Sequence, residues 1–374
     1  MEKILKIIVI GALPSSLLNF RGELLKVLIT KDHEVLAMAS KADSCVIEEI
    51  ESLSIKYIDY DVSRNGLNPL ADINTFFNFC KVFKENKPDL VLAYTIKPII
   101  WGGLAARFSG INNFYALVTG LGFAFQKGSF LKNMLINIVK ALYRSSLKKA
   151  EGVIFQNKDN QQVFVDNNLV ESNRCHLVNG SGVDLSLFEK AGLTDGNSFL
   201  LIARLLGDKG IREYAQASKI VKNKYPNSIF NLVGPEDPSP DGIPVQEVIQ
   251  WHDDGIIVYH GGTDDVRPYI EQSNIFVLPS YHEGMPRTVL EAMAMGRPIL
   301  TTNVPGCKET VINGENGWLV EKGNAEQLAE KIIWFIENKA EWRRMGHNSH
   351  AIVTDKFDVH KVNRELLKIM GLDK

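Results

Sequence analysis

The sequence predicts an α/β chain built from two doubly wound domains, and three observations carry that prediction. Strand-length apolar runs alternate with helical patterns, and the runs are near-continuous, as in parallel strands buried on both faces. The alternation comes as two successive series, each long enough for its own sheet. A polar stretch rich in Gly, Asp, Thr and Asn at 190–196 separates them, and 374 residues suffice for two domains.

The first series has predicted strands at 5–10, 34–39, 56–60, 89–93, 114–118 and 152–156. Its opening apolar residues are too few to span a bilayer and are not followed by a small-residue cleavage site, so they read as a strand. That strand ends at Gly11, and the following loop has one glycine at its turn where a dinucleotide fold needs G-x-G-x-x-G; a nicotinamide cofactor is not expected. A helix over about 18–30 follows, its N-terminus aimed at the strand ends where such sheets bind ligands. Arg21 on that helix is either an anion contact or a plain surface charge. After the strand at 114–118, Thr119-Gly120-Leu121-Gly122 makes a loop suited to close backbone approach by a ligand.

Between Leu90 and Ala150 there is no Asp or Glu, while Lys97, Arg107, Lys127, Lys132, Lys140, Arg144, Lys148 and Lys149 fall inside. Leu131, Met134, Leu135, Ile138, Val139 and Leu142 form a helical stripe, with Lys140, Arg144 and Lys148 away from it. This is either a core-packed helix with a solvated basic face or a basic amphipathic stretch drawn to anionic lipid, with Phe123, Phe125 and Phe130 available to the interface.

Composition bounds the rest. With 45% hydrophobic and 23% charged residues the chain is an ordinary globular protein, and a net charge of −2 leaves no footprint for nucleic acid. Cys45, Cys80, Cys175 and Cys307 are scattered, which fits free thiols and the cytoplasm. Asp253-Asp254 and Asp264-Asp265 are adjacent acids and the histidines are dispersed, so no essential metal and no cofactor are expected.

The second series has predicted strands at 199–203, 230–233, 256–259, 275–278, 298–302 and 318–320. The first feeds a loop with two cations five residues apart, Arg204 and Lys209, followed by Gly210. Fixed cations at a strand end stabilise negative charge where it develops. Gly234 and Gly261 lie in turns after the next two strands. The strand at 275–278 leads through Glu283-Gly284-Met285-Pro286 into a short helix, with Pro286 expected at its first position and Gly296 and Pro298 closing it. A loop feeding a helix N-terminus suits an anion. Glu283 would stand beside that anion and Glu291 roughly 8–12 Å away, a spacing that grips two ends of one extended ligand. Each carboxylate accepts a pair of hydroxyls, so one could hold a sugar and the other a ribose.

The stretch from Glu283 to Glu291 resembles the signature of retaining glycosyltransferases of family 4, which have the GT-B fold. Arg204…Lys209-Gly210 resembles that family's cation pair for the donor diphosphate. Ser16-Leu-Leu-Asn-Phe-Arg21, the stretch from Ser63 to Pro69, Tyr94-Thr-Ile-Lys97-Pro98 and Leu117-Val-Thr-Gly-Leu-Gly122 resemble a bacterial subgroup that extends undecaprenyl-diphosphate-linked sugars in protein-glycan and O-antigen assembly. That subgroup includes α-1,3-N-acetylgalactosaminyltransferases. The resemblance implies two Rossmann-like domains facing across a cleft: an acceptor domain over 1–190 and a nucleotide-sugar donor domain over 191–355. A last helix within 356–374, through Val362, Leu366, Leu367 and Met370, would pack back across them. It further implies a UDP-sugar donor, with Glu283, Arg204 and Lys209 catalytic, Glu291 on the ribose, and Gly284, Met285, Pro286, Gly234 and Gly261 lining the donor. Arg21, Lys97, Thr119 and Gly120 would meet a polyprenyl-diphosphate-linked saccharide at the cytoplasmic face of the inner membrane. Two other readings stand beside it: a sugar-nucleotide enzyme of the UDP-N-acetylglucosamine 2-epimerase kind, and a non-catalytic sugar-nucleotide-binding partner.

Overall fold

A computed structural model describes residues 3–61, 69–121 and 130–373. Residues 63–68, Gly122, Phe123, Phe125 and Lys127 lie outside these, as do the side chains of Phe130, Leu131 and Lys132. The chain divides into two compact units, Met1–Ser181 with Val362–Lys374, and Gly182–Lys361.

Among the described residues the first unit holds seven strands: β1 (Lys6–Ile10), β2 (Glu34–Ala39), β3 (Lys56–Asp59), β4 (Leu90–Tyr94), β5 (Phe114–Val118), β6 (Gly152–Phe155) and β7 (Cys175–Leu177). All pair in parallel in the order β3-β2-β1-β4-β5-β6-β7. Strand β7 is absent from the sequence reading. Cys175 and His176 are only half-buried and Leu177 is exposed, so the strand carries no apolar run. The helices are α1 (Pro14–Thr30), α2 (Ser44–Ser52), α3 (Pro69–Asn86), α4 (Gly103–Phe108), α5 (Phe130–Leu147) and α6 (Lys158–Asp166). Helix α1 starts earlier than expected because Pro14, lacking an N–H, sits at its first turn, where that donor has no intrahelical acceptor.

The pleat explains the continuous apolar runs. Ile8 and Ile10 join Leu36, Met38, Phe79, Phe83 and Val139 on one face of the sheet. Ile7 and Val9 join Leu24, Leu25 and Leu28 of α1 on the other. Helix α13 (Val359–Ile369) lays Val362, Leu366 and Leu367 into that second core, followed by Met370. In α5 the buried line runs through Ile136, Val139, Tyr143 and Leu147. Met134 and Ile138, expected in that stripe, are instead 51% and 45% exposed, because the core-facing line is rotated by about one residue.

The second unit holds β8 (Ser198–Ile202), β9 (Ile229–Val233), β10 (Val258–Tyr259), β11 (Ile275–Leu278), β12 (Ile299–Thr302) and β13 (Gly317–Val320). They form a parallel sheet in the order β10-β9-β8-β11-β12-β13. Its helices are α7 (Ile211–Lys224), α8 (Val245–Asp253), α9 (Arg267–Glu271), α10 (Arg287–Ala294), α11 (Ala325–Glu337) and α12 (Ala340–Lys356). Phe199 and Leu201 face one core, Leu200 and Ile202 the other. Gly182 and Val183 lie against the stretch before α13: Val183 donates to Phe357 O at 2.9 Å and accepts from Val359 N at 3.0 Å. Both sheets reverse strand order once, between β1 and β4 and between β8 and β11. In open α/β sheets, ligands bind at the carboxyl ends of such a pair.

Candidate active site

At the carboxyl end of β8 the chain runs through Arg204 to a 3-10 turn, Gly207–Lys209, and then into α7. Gly210 joins the two with φ of 70°, and a Cβ there would lie 2.1 Å from the Pro279 carbonyl oxygen. Only glycine allows this approach, which presses the loop after β8 onto the loop after β11. The Tyr281 N–H fixes the contact by donating to the Asp208 carbonyl at 2.7 Å, and Ser280 Oγ lies 3.1 Å from the same oxygen. The far loop is anchored from β12 as well, where Thr301 Oγ1 donates to Leu278 O at 2.6 Å and Thr302 Oγ1 donates to Ser280 O.

This clamp brings two of the sequence-predicted residues together. Lys209 Nζ donates to Glu283 Oε1 at 2.6 Å, and each side chain is only 16% exposed. Ser280 Oγ donates to the same oxygen at 2.8 Å, and Glu283 N–H is held by Pro305 O at 3.1 Å. Burial pulls the Lys209 ammonium down, but the carboxylates of Glu283 and Asp208 outweigh it and hold it above the ordinary lysine value. Lys209 is a fixed cation. Asp208 is pushed up by burial and by Glu283, against the pull of Lys209. Burial lowers the His282 imidazole below its ordinary value, against the pull of Glu283.

Arg204 is half exposed and its guanidinium pairs with the buried carboxylate of Asp237. Asp237 is held in turn by Ser239 N–H at 2.9 Å. Gly234 lies against the backbone before Arg204, where a Cβ would come 1.7 Å from Ala203 O, and its N–H donates to Gly261 O at 2.8 Å. Gly234, Gly261 and the Arg204 backbone are therefore neighbours.

Helix α10 carries the last group. Pro286, expected at the first helical position, is instead the cap before it, with ψ of 105° in the extended region. Thr288 Oγ1 ties the helix start to Ile202 O of β8 at 3.2 Å. The Arg287 and Thr288 N–H groups begin the helix and have no carbonyl four residues back within it. Glu291 is 6% exposed and takes a bond from Arg287 Nε at 2.8 Å. Burial pushes its carboxyl up to about 7, against the pull of Arg287. Sequence reasoning missed Asp237, Asp241 and Ser280. Asp241 accepts the Gly207 N–H at its carbonyl and the Asp208 N–H at its carboxylate, both at 2.9 Å, from a distant point along the chain. No motif announces such a distant support.

In the first unit, Arg21 is not a surface charge. It is 2% exposed, with its guanidinium 5.3 Å from the centre of the Tyr94 ring. Lys97 pairs with Asp72 at 2.8 Å, the side chains 14% and 5% exposed. Thr119 and Gly120 follow β5 and are half-buried. A cavity of about 690 Å³ opens at the opposite end of this sheet, lined by Cys80, Phe83, Lys84, Phe108 and Asn112 among others, and it holds none of the candidate residues. Among the described residues, no cluster of three His, Cys, Asp or Glu is placed to hold a metal ion, and no helix is long and apolar enough to cross a membrane.

Residues 196–338 match the family described as glycosyl transferases group 1, and residues 17–157 match the glycosyl transferase 4-like family. A Campylobacter jejuni protein, N,N'-diacetylbacillosaminyl-diphospho-undecaprenol alpha-1,3-N-acetylgalactosaminyltransferase, is 31% identical over 369 residues, 95% of each chain. The chain belongs to the family 4-like glycosyltransferases. An Escherichia coli relative, UDP-Gal:alpha-D-GlcNAc-diphosphoundecaprenol alpha-1,3-galactosyltransferase, is 24% identical over 79% of this glycosyltransferase and 78% of its own length. Solved structures agree on the GT-B fold. A Rickettsia africae glycosyltransferase superposes with a TM-score of 0.79 at 21% identity, covering 99% of this chain and 98% of its own. Anabaena HepE in complex with UDP-glucose gives 0.78 at 20% identity over 98% and 99%.

Proposed function

We propose that this glycosyltransferase moves a sugar from a UDP-sugar to a saccharide carried on undecaprenyl diphosphate, with retention at the anomeric carbon. The favoured sugar is N-acetylgalactosamine, with another hexosamine or hexose as the wider class. The observation that carries this reading is the Lys209–Glu283 pair, clamped at the strand-order reversal of the second sheet. Support for the acceptor comes from the C. jejuni and E. coli relatives, whose names specify diphosphoundecaprenol-linked sugars.

In this mechanism Glu283 orients the donor sugar, and Glu291 receives the ribose hydroxyls. Gly234, Gly261 and the Gly284–Pro286 backbone line the donor. The bond between the anomeric carbon and the β-phosphate oxygen breaks, and its electron pair leaves on UDP. Arg204, Lys209 and the first N–H groups of α10 meet that charge, which is the main source of rate available to fixed donors. The acceptor hydroxyl adds from the same face of the sugar and passes its proton to a leaving phosphate oxygen, so no protein nucleophile is required. Lys97, Thr119 and Gly120 serve the acceptor, and Arg21 acts from beneath, through the ring of Tyr94.

The acceptor is a lipid, so the reading includes attachment to the cytoplasmic face of the inner membrane. Helices α3, α4 and α5 offer Ile73, Phe77, Phe108, Met134 and Ile138, all 45% or more exposed. Lys81, Lys84, Arg107 and Lys140 lie on the same helices, a combination suited to an anionic interface.

The test incubates the purified protein with a panel of UDP-sugars and short-chain polyprenyl-diphosphate-linked hexosamines in the presence of EDTA. Product from one donor, lost in a folded Glu283→Ala variant, is the expected result. Transfer only to free saccharides would overturn the lipid acceptor, and turnover of the UDP-sugar to an epimer would overturn transfer itself.

A further inference from the structure

Five non-glycine residues among those described have positive φ: Asp32, Ser54, Lys87, Thr95 and Asn168. Four of them follow the ends of α1, α2, α3 and α6, where a left-handed closing residue is ordinary. Thr95 is the exception. It stands at the carboxyl end of β4 with φ of 68°, and its branched Cβ makes that conformation a genuine outlier. Its hydroxyl is buried and has no hydrogen-bond partner among the described residues. Two unfavourable features therefore meet at one residue.

The neighbours explain why the turn does not relax. Tyr94 before it is locked by Ser16 Oγ, 2.8 Å from its hydroxyl, and by Arg21 against its ring. After it, Ile99 N–H is bonded to the Thr95 carbonyl at 3.1 Å. Two residues on, Lys97 is paired with the buried Asp72, and Pro98–Gly102 then winds as a π-helix, a rare form that recurs at functional sites. All of this lies beside the β1–β4 reversal, where a doubly wound sheet receives its ligand.

We propose that the 94–97 turn is a strained subsite for the acceptor's diphosphate, with the Thr95 hydroxyl and the Lys97 ammonium as its side-chain contacts. The assignment rests on the reading that the first unit binds a diphosphate-linked acceptor. A diphosphate oxygen accepts from the Thr95 hydroxyl and takes Lys97 in exchange for Asp72. Because the hydroxyl is buried, it meets the diphosphate only as the turn relaxes. Binding and release of strain are one step.

The test compares wild type, Thr95→Gly and Thr95→Ser in the full chain, with a UDP-sugar and a short-chain polyprenyl-diphosphate saccharide. Thr95→Gly removes the strain and the hydroxyl together. It is expected to melt about 2 °C or more above wild type. Its acceptor KM should rise about tenfold, the loss of a hydrogen bond to a charged group. The ratio of acceptor KM to donor KM should rise by the same factor of about ten. Thr95→Ser keeps the hydroxyl and should hold acceptor KM within about threefold. A lower Tm for Thr95→Gly overturns the strain. An unchanged acceptor KM, or a donor KM that moves in step with it, overturns the subsite. Should the wild type use only a free saccharide, the lipid reading fails by itself. The melting comparison still decides the strain, and an acceptor KM rise on that saccharide would overturn the diphosphate as the ligand.

Discussion

Glu291 should make both folding and donor binding depend on pH near neutrality. Its carboxyl is raised from 4.5 to about 7, chiefly by burial, with Arg287 opposing. The folded pKa lies above the unfolded one, so between these values the folded protein keeps a proton that the unfolded chain releases. Stability from this group is complete below about pH 4.5 and is lost as pH rises through 7. A shift of about 2.5 units at 1.36 kcal/mol each gives about 3 kcal/mol over that window. Urea midpoints measured from pH 4.5 to 8 for wild type and Glu291→Gln should diverge by this amount. Groups common to both proteins cancel in the difference. Under the ribose assignment, wild-type donor KM should also fall as pH rises through 7, while the variant's stays flat. Parallel stability curves for the two proteins across that range would refute the reasoning.

Other perturbations address the clamp. Lys209→Met leaves Glu283 with a half-buried charge facing Ser280, and Glu283→Gln leaves Lys209 without its carboxylate. Each should cost about 2 kcal/mol, and the double variant should fall short of their sum by about 1.5 kcal/mol in denaturant unfolding; strict additivity would mean the pair is uncoupled. Gly210→Ala places a Cβ 2.1 Å from Pro279 O at φ of 70°, so it should lose about 3 kcal/mol and most donor turnover. A Gly210→Ala protein with wild-type melting would show that the loops after β8 and β11 are not pressed together.

Much of this fold is legible because buried parallel strands are continuous apolar runs, as in Ile7 to Ile10 or Ile275 to Leu278, and their ends carry glycine and proline. The strand β7 escapes that signal because an edge strand of three residues, none of them buried, has no apolar run to show. Met134 and Ile138 mislead for a different reason: a helical stripe gives a period, but the core chooses the phase. The site divides in the same way. Glu283, Glu291, Arg204 and Lys209 are readable because each stands at a fixed offset from a strand end. Asp237, Asp241 and Ser280 act through contacts that only the folded loops create. Arg21 is the instructive case, since a charge buried against an aromatic ring looks like any surface arginine until the ring is placed.

Both cations that the proposed function assigns to the donor diphosphate are paired with carboxylates, Lys209 with Glu283 and Arg204 with Asp237. A diphosphate therefore competes with a carboxylate for each cation, and in the ground state that exchange gains little. As the glycosidic bond breaks, the leaving group gains charge and the exchange tips toward it, so the pairing favours the transition state over the bound substrate. The Arg204–Asp237 pair tests this. Asp237→Asn keeps an acceptor for the Ser239 N–H, a bond that the native carboxylate makes, but frees the guanidinium. Donor KM should fall about three- to tenfold, as an unpaired Arg204 grips the ground-state diphosphate, while kcat does not rise. A donor KM that rises in Asp237→Asn would mean that Asp237 positions Arg204 rather than competing for it, and the carboxylate would then belong to the binding machinery itself.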